Sequence, residues 1–198
     1  LQIKHLRINA GERIAVLGRN GAGKSSLLQA LAGNSELSAG KILLDDLSLA
    51  QIDVADVRRD VGILTQQARL FYGSLRDNLI LGAPNATDEQ LVQALNITGA
   101  MNFVRQLPKG LDHQLMEGGM GLSGGQRQSL LLSRLLVRAP NVLLLDEPTA
   151  SLDDNTESEF LSALEQSIGQ KTLIVATHRM AVLRLVQRVI VEDNEKIV

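Results

Sequence analysis

Eight consecutive residues, Gly18-Arg-Asn-Gly-Ala-Gly23-Lys24-Ser25, carry the clearest chemistry in the sequence. Their spacing fits G-x-x-x-x-G-K-[ST], a loop that cradles phosphate. Glycines let backbone N–H groups curl inward around phosphate oxygens. A helix beginning at the lysine points its positive end at the same anion. Lys24 then reaches the β- and γ-phosphates, and the Ser25 hydroxyl is placed to ligate Mg²⁺. The motif requires a strand before it and a helix after it. Arg13–Gly18 is a short β-branched apolar run ending in glycine, and Lys24–Ala32 has apolar residues at 27, 28 and 31, the spacing of a helix buried on one face. The expected ligand is a nucleotide.

Two further clusters fit the same chemistry. Asp146 follows four apolar residues, Val142-Leu-Leu-Leu145. A carboxylate at the C-terminal end of a buried parallel strand lies where such sheets bind ligands, and there it can hold Mg²⁺ directly or through water. Glu147 comes next and is expected to turn toward the γ-phosphate, where it can orient or deprotonate an attacking water. Leu122-Ser-Gly-Gly-Gln126 places a serine and two glycines at the start of a long helix, a second anion-binding N-terminus. One nucleotide does not need two cradles from one small chain, so the second is expected to serve the ATP of another subunit.

The elements that must position these groups are legible as short apolar runs. Gly62–Leu64, Val142–Leu145, Thr172–Ala176 and Arg188–Val191 join Arg13–Gly18 as buried-strand candidates, with Leu1–Ile8 and Ile197-Val198 as further strands at the ends. Helical stretches separate them, which is the pattern of a parallel sheet with helices on its faces. Thr87-Asp-Glu-Gln90 has the form of a capping box for a helix running to about Thr98, with Gly99 as its stop. A glycine-rich break at Gly118–Gly125 leads into a helix over about Gln126–Arg138, ended by Pro140. Residues of about 74–138 therefore read as a mostly helical insertion in an α/β core. Asp45-Asp46 and Glu192-Asp193 are expected in turns, and His5 and His113 in structural roles.

Composition sets the outer bounds. With 198 residues, 44% of them hydrophobic, the chain can bury a core without staples. The absence of cysteine excludes disulfides, a thiolate zinc site and a cysteine nucleophile. Twenty Lys and Arg against 22 Asp and Glu give a net charge of −2, which argues against nucleic acid as the partner. No apolar run approaches the ~20 residues of a membrane span, and no basic-then-apolar opening marks a signal peptide. The expectation is a soluble domain whose two ends read as cuts from something larger.

With these motifs in this order, the chain resembles the nucleotide-binding domain of ABC transporters over essentially its whole length. In that resemblance Gly18–Ser25 is Walker A, followed by Ser26 where the family more often has threonine. Gln66 is the Q-loop glutamine, favoured over the adjacent Gln67 by the context Ile63-Leu-Thr-Gln66. The signature is Leu122, Ser123, Gly124, Gly125 and Gln126; Walker B is Val142–Asp146, with Glu147 as catalytic carboxylate. The D-loop is Ser151-Leu-Asp153, and the switch histidine is His178 in Ala176-Thr-His-Arg179. The implied fold is an α/β P-loop NTPase of RecA-like type, with a parallel-sheet core and an inserted helical subdomain. Residues 1–198 form one nucleotide-binding domain, with the transmembrane domain expected outside the chain.

The implied activity is hydrolysis of ATP with Mg²⁺. ATP contacts are implied for Arg19, Asn20, Gly21, Ala22, Gly23, Lys24, Ser25 and Ser26, and Mg²⁺ contacts for Ser25, Gln66 and Asp146. Catalysis falls to Glu147, His178, Gln66 and Lys24: Gln66 offers an amide to the ion and the lytic water, and His178 bonds to the γ-phosphate and Glu147. Asp153 would stand at a dimer seam, and as a residue in its own right it also suits the N-cap of a helix beginning near Asn155. The adenine-stacking aromatic of the family normally precedes the first strand and is expected upstream of Leu1.

The branch is indicated by Leu70-Phe-Tyr-Gly-Ser-Leu-Arg-Asp-Asn-Leu79, which looks like the stretch after the exporter Q-loop, and by Glu117-Gly-Gly, which looks like the exporter X-loop although Leu115-Met116 replaces the usual Val-Gly before it. Both are expected to face a membrane domain, with Phe71 and Tyr72 exposed for docking. Together with Thr149-Ala-Ser-Leu-Asp153, the pattern is most like type I secretion ATPases, the bacterial exporters of toxins, adhesins or bacteriocins. The implied partners are a second nucleotide-binding domain in a homodimer, a transmembrane domain, and a periplasmic adaptor and outer-membrane channel, with no nucleic acid. The implied place is the cytoplasmic face of the bacterial inner membrane. A lipid or drug exporter motor and a non-transport ATP-gated clamp are the alternatives. Only 56 positions separate Gln66 from Leu122, too few for the coiled coil of a clamp.

Overall fold

A computed structural model of the chain describes residues 2–19, 21–193, 196 and 197. In chain order its elements are β1 (Arg13–Gly18), α1 (Lys24–Leu31), β2 (Leu43–Leu44), β3 (Leu47–Ser48), α2 (Val54–Asp60), β4 (Val61–Leu64), β5 (Gly73–Ser74) and α3 (Leu75–Ile80). There follow α4 (Asp88–Ile97), α5 (Met101–Val104), β6 (Gln114–Leu115), α6 (Gly124–Val137), β7 (Val142–Asp146), α7 (Asp154–Ile168), β8 (Thr172–Ala176), β9 (Arg188–Asp193) and β10 (Lys196–Ile197). They form two compact units. One takes Leu1–Thr65, Pro140–Pro148 and Gln170–Val198; the other takes Gln66–Ala139 and Thr149–Gly169.

The first unit is built on a six-stranded sheet of order β10-β9-β1-β8-β7-β4, parallel except for the β9–β10 pair. Parallel strands covered on both faces read as unbroken apolar runs rather than alternating ones. Leu143, Leu144 and Leu145 of β7 are fully buried, as are Ile14 and Ala15 of β1. On one face α1 lays Leu27 and Leu28 against Val16, Leu144, Ile174 and Ala176, and Val57 of α2 joins the same cluster. Register sets Val16 beside Ala176 and Ala176 beside Asp146. The C-terminal ends of β1, β8 and β7 therefore lie side by side at one edge.

Two expectations at the ends are corrected. Leu1–Ile8 is not a strand: of its described residues only Gln2 makes an isolated bridge. Ile3 and Ile8 both rest against the core. An odd separation would send them to opposite faces of a strand, so an unpaired segment is what lets both reach the core. Glu192 and Asp193 are not a turn but the end of β9, because β1 continues to Gly18 and Gly18 pairs with Glu192. Asp45 and Asp46 do turn the chain between β2 and β3, both with positive φ.

The second unit is mostly helical. Capping boxes open three of its helices: Ser74 with Asp77 at α3, Thr87 with Gln90 at α4, and Ser123 with Gln126 at α6. The unit thus satisfies N-terminal backbone donors from its own sequence. α6 starts at Gly124, just before the Gln126 expected from the glycine-rich break, because the Ser123 cap places both glycines in the first turn. Its side chains Leu130–Leu132 and Leu135–Val137 are buried, α6 packs on α3 and α4, and α7 packs on α4 and α6.

Truncating a core leucine tests this account of the first unit. Leu144→Ala should destabilise it by about 2–5 kcal/mol through lost contacts and a residual cavity, read as a lower urea midpoint.

Candidate nucleotide site

The phosphate loop leaves β1 at Gly18 and enters α1 at Lys24. Gly23 precedes the helix at φ 112° and Gly21 sits at φ 83°, backbone states that favour glycine. No side chain caps α1, so its first N–H groups depend on an outside acceptor. The Ala22 N–H donates to the Arg19 carbonyl at 3.2 Å, closing the turn. Lys24 is buried, and its Nζ donates to the carbonyls of Gly18 at 2.9 Å and Arg19 at 3.1 Å. The ammonium is thereby held inside the loop. Ser25 and Ser26 are exposed in the first turn of α1, while Asn20 lies outside the described residues.

The adjoining strand ends supply the carboxylates. Asp146 ends β7 and is 5% exposed; its Oδ1 has no hydrogen-bond partner among the described residues. A buried anionic oxygen without a donor is costly, and a hard cation that takes oxygen ligands removes that cost. Asp146 together with the exposed Ser25 hydroxyl fits Mg²⁺, which is commonly held by one or two protein oxygens plus nucleotide phosphates. Among the described residues no group of three or more His, Asp or Glu forms a metal centre of its own.

Glu147 has φ 48°, left-handed for a non-glycine residue. Its N–H donates to the Ala176 carbonyl at 2.9 Å, so the turn off β7 is tied to the end of β8. The carboxylate is buried and meets His178 Nδ1 at 2.9 Å through Oε1, while the Thr177 hydroxyl donates to Oε2 at 3.4 Å. Thr177 also accepts the Arg179 N–H at 3.0 Å. Thr177 is thus a third support of Glu147. The sequence signals it only by its place between Ala176 and His178. The His178 ring is half exposed.

Gln66, the Ser123–Gln126 segment and Asp153 belong to the second unit. Gln66 and Gln67 stand in an exposed turn. The Ser123 Oγ accepts the Gln126 N–H at 3.1 Å and Gln126 Oε1 accepts the Ser123 N–H at 2.9 Å. With Ser123 and Gln126 bonded to each other's backbone N–H in this way, the first turn of α6 is closed by its own capping box. Asp153 caps α7, accepting the Thr156 N–H at 3.1 Å and the Thr156 O–H at 2.7 Å. These bonds hold its carboxyl below the ordinary aspartate range, the side-chain bond most.

A cavity of about 240 Å³ in this unit is lined by Gln66, Arg69, Gly124, Arg127, Gln128 and Ser151, among others. Beside it, Asn78 and Arg134 hold the segment after the glutamines. Arg134 donates to the Arg69 carbonyl at 2.8 Å and to Asn78 O and Oδ1 at 2.9 and 2.8 Å, and its guanidinium lies over the Phe71 ring. Phe71 and Tyr72 are 51% and 69% exposed, as expected.

Comparison with known proteins places these motifs in context. The family profile described as ABC transporter matches residues 1–150. The chain is 41% identical over 193 residues to the Escherichia coli glutathione/L-cysteine transport system ATP-binding/permease protein CydC, covering 98% of this chain and 33% of that protein. It is 37% identical to the Bordetella pertussis cyclolysin secretion/processing ATP-binding protein CyaB, over 97% of this chain and 27% of that protein. A bacterial Atm1-family ABC exporter solved with ATP bound superposes with a TM-score of 0.88 at 30% identity, over 95% of this chain and 33% of that one. The chain therefore spans about a third or less of these relatives' length.

The orphaned oxygen gives a direct test. Asp146→Asn removes the buried charge at nearly constant shape, and should stabilise the nucleotide-free protein by about 1 kcal/mol, read as a higher urea midpoint. It should also abolish the extra thermal shift that Mg²⁺ adds to ATP, read by calorimetry with and without the ion.

Proposed function

The chain belongs to the ABC transporter family, and from that membership we propose that it is the ATP-hydrolysing motor domain of an exporter. The observation that carries the reading is the Glu147–His178 pair at 2.9 Å, set at the strand ends next to the phosphate loop. A carboxylate held by histidine and threonine in a fixed orientation is what a general base for water requires.

The chemistry proposed is attack of water on the γ-phosphorus. An O–P bond forms, the bond to the β-bridging oxygen breaks, and the water proton passes to Glu147. Lys24 exchanges its two loop carbonyls for phosphate oxygens, and the uncapped first turn of α1 gives its N–H groups to the same anion. Mg²⁺, held by Ser25 and Asp146 with the Gln66 amide as a further ligand, would supply charge neutralisation on the phosphates. Arg19, Asn20, Gly21, Ala22, Gly23 and Ser26 complete the ATP contacts.

Leu122, Ser123, Gly124, Gly125 and Gln126 are proposed to bind the γ-phosphate of ATP held by a second copy, in a head-to-tail dimer with Asp153 at the seam. The support for this is that Ser123–Gln126 opens a 14-residue helix, whose N-terminal N–H groups and dipole favour an anion. ATP then favours the closed pair because it binds both halves, and hydrolysis removes the bridge. Phe71 and Tyr72 are proposed as contacts for a transmembrane domain, with the chain working at the cytoplasmic face of the bacterial inner membrane. Among the described residues no helix is long and apolar enough to cross a membrane.

For cargo we propose protein or peptide secretion, with a periplasmic adaptor and outer-membrane channel as partners. It rests on the Leu70–Leu79 and Thr149–Asp153 stretches and on likeness to the cyclolysin secretion protein. The higher identity to the glutathione/L-cysteine transport protein favours small-molecule export as the second reading. Cargo-stimulated hydrolysis in the membrane-embedded protein separates the two.

The central test follows ATP hydrolysis at rising protein concentration. Activity per molecule should climb as dimers form. Glu147→Gln should lower turnover by about 10²–10⁴-fold, the usual worth of a general base, while giving an ATP-dependent dimer by light scattering. Rapid turnover by the variant would sink the assigned base.

A further inference from the structure

The two glycines that open α6 are required by different neighbours. A Cβ on Gly124 would stand 3.1 Å from the Ser151 carbonyl oxygen, whereas one on Gly125 would stand 2.2 Å from the Thr156 Cγ2. Neither glycine has a positive φ, so conformational freedom is not the reason for either. In an open helical position alanine is favoured over glycine by about 1 kcal/mol. Gly125 is demanded by occupied space, and the occupant nearest by far is a single methyl group, since the next Thr156 atom, Cβ, is at 3.6 Å.

That methyl group is not free to move aside. Threonine is stiff at χ1, and Thr156 Oγ1 is engaged at 2.7 Å with Asp153 Oδ2 while its N–H reaches Oδ1 at 3.1 Å. Rotating Cγ2 away from Gly125 carries Oγ1 off the carboxylate. One side chain therefore joins the start of α6 to the cap of α7: the methyl fits the gap left by Gly125, and the hydroxyl fixes Asp153.

We infer that Thr156 is a positioning residue that locks the donor-bearing end Ser123–Gln126 to the Asp153 turn, so that the two segments shift together. The inference rests on the proposed binding of a phosphate by Ser123–Gln126 only for its effect on turnover. The packing and the hydrogen bonds exist without nucleotide. In this account Thr156 requires a glycine at 125 before any ligand binds.

Compensating variants decide the matter. Gly125→Ala should displace the Ser123–Gln126 amide resonances of the nucleotide-free protein and lower the ATPase rate at least tenfold. Adding Thr156→Ser deletes Cγ2 and keeps the hydroxyl; it should return those resonances and recover the rate at least tenfold over the single variant. Gly124→Ala meets a backbone carbonyl, so Thr156→Ser should not rescue it. If Gly125→Ala does not fold, folding of the double variant is itself the rescue. A double variant as disturbed as the single one in both resonances and rate overturns the inference, and so does one that fails to fold. Resonances restored without recovery of the rate would uphold the packing claim and count against phosphate binding at this end.

The hydroxyl half has its own readout. Thr156→Val keeps the methyl and removes the donor, and should shift the Asp153 carboxyl titration upward by ¹³C NMR. The folded carboxyl titrates below its unfolded value, so the cap contributes at neutral pH and is lost as pH falls through the lowered value. An unchanged titration in Thr156→Val would overturn the link to Asp153.

Discussion

Backbone pairing among β1, β8 and β7 decides where the reactive groups of the first unit stand. Because the strands are parallel, their C-terminal ends share an edge, and the register puts Val16, Ala176 and Asp146 in one row. Each functional side chain is then defined by its distance past that row. Asp146 is the last strand residue and Glu147 the first beyond it; Thr177 and His178 are the first and second beyond β8. A slip of one residue in β7 would exchange the face of Asp146 for that of Leu145. The fully buried Leu143–Leu145 run therefore does more than fill a core. It holds the register on which the geometry of the carboxylates depends.

The groups at that edge differ in how completely the protein satisfies them. Lys24 has two carbonyls, and Glu147 has histidine, threonine and a backbone tie. Asp146 keeps one oxygen with no partner among the described residues. The left-handed backbone at Glu147 adds roughly 1–2 kcal/mol of steric cost. Complete satisfaction would remove the reason to bind anything. The orphaned carboxylate oxygen at the end of β7 and the uncapped helix start after β1, with β8 between the two strands, are the groups that the proposed Mg²⁺ and phosphate would satisfy. The apolar strands behind them supply the stability that tolerates the two incomplete groups.

Much of this was legible in the residues. The phosphate loop, the apolar strands before Asp146 and Thr177, and the Thr87 capping box depend on local spacing, and local spacing is what a sequence displays. What escaped depends on partners distant in the chain. Thr177 matters because β8 lies beside β7, Asn78 because Arg134 lies 56 residues on, and Thr156 because α7 lies against the start of α6. The same cause explains the misplaced ends. Leu1–Ile8 has strand-like composition, but whether it pairs depends on whether a sheet edge is open to it.

Arg134 supports an exposed surface of the second unit through neutral acceptors. Its guanidinium, pushed down to about 10 by burial, is bound by two main-chain carbonyls and one side-chain amide oxygen, with the Phe71 ring beneath it. It stays charged at neutral pH. Neutral dipoles can compensate a buried cation only when several point at it, and the planar fork of arginine reaches three acceptors at once where a lysine point charge would not. Asn78 completes the arrangement by accepting the Phe71 N–H at 2.8 Å and donating to the carbonyls of Phe71 and Ser74. The Tyr72 N–H in turn reaches Glu117 Oε2 at 3.1 Å, and the Gly118 N–H reaches the Leu70 carbonyl at 2.9 Å. Backbone groups of residues 69–72 are thus held from behind, while the Phe71 and Tyr72 side chains remain outside. A surface fixed in this way presents aromatic rings whose backbone is already ordered, so a partner that packs on them loses less conformational entropy than it would in ordering a free loop.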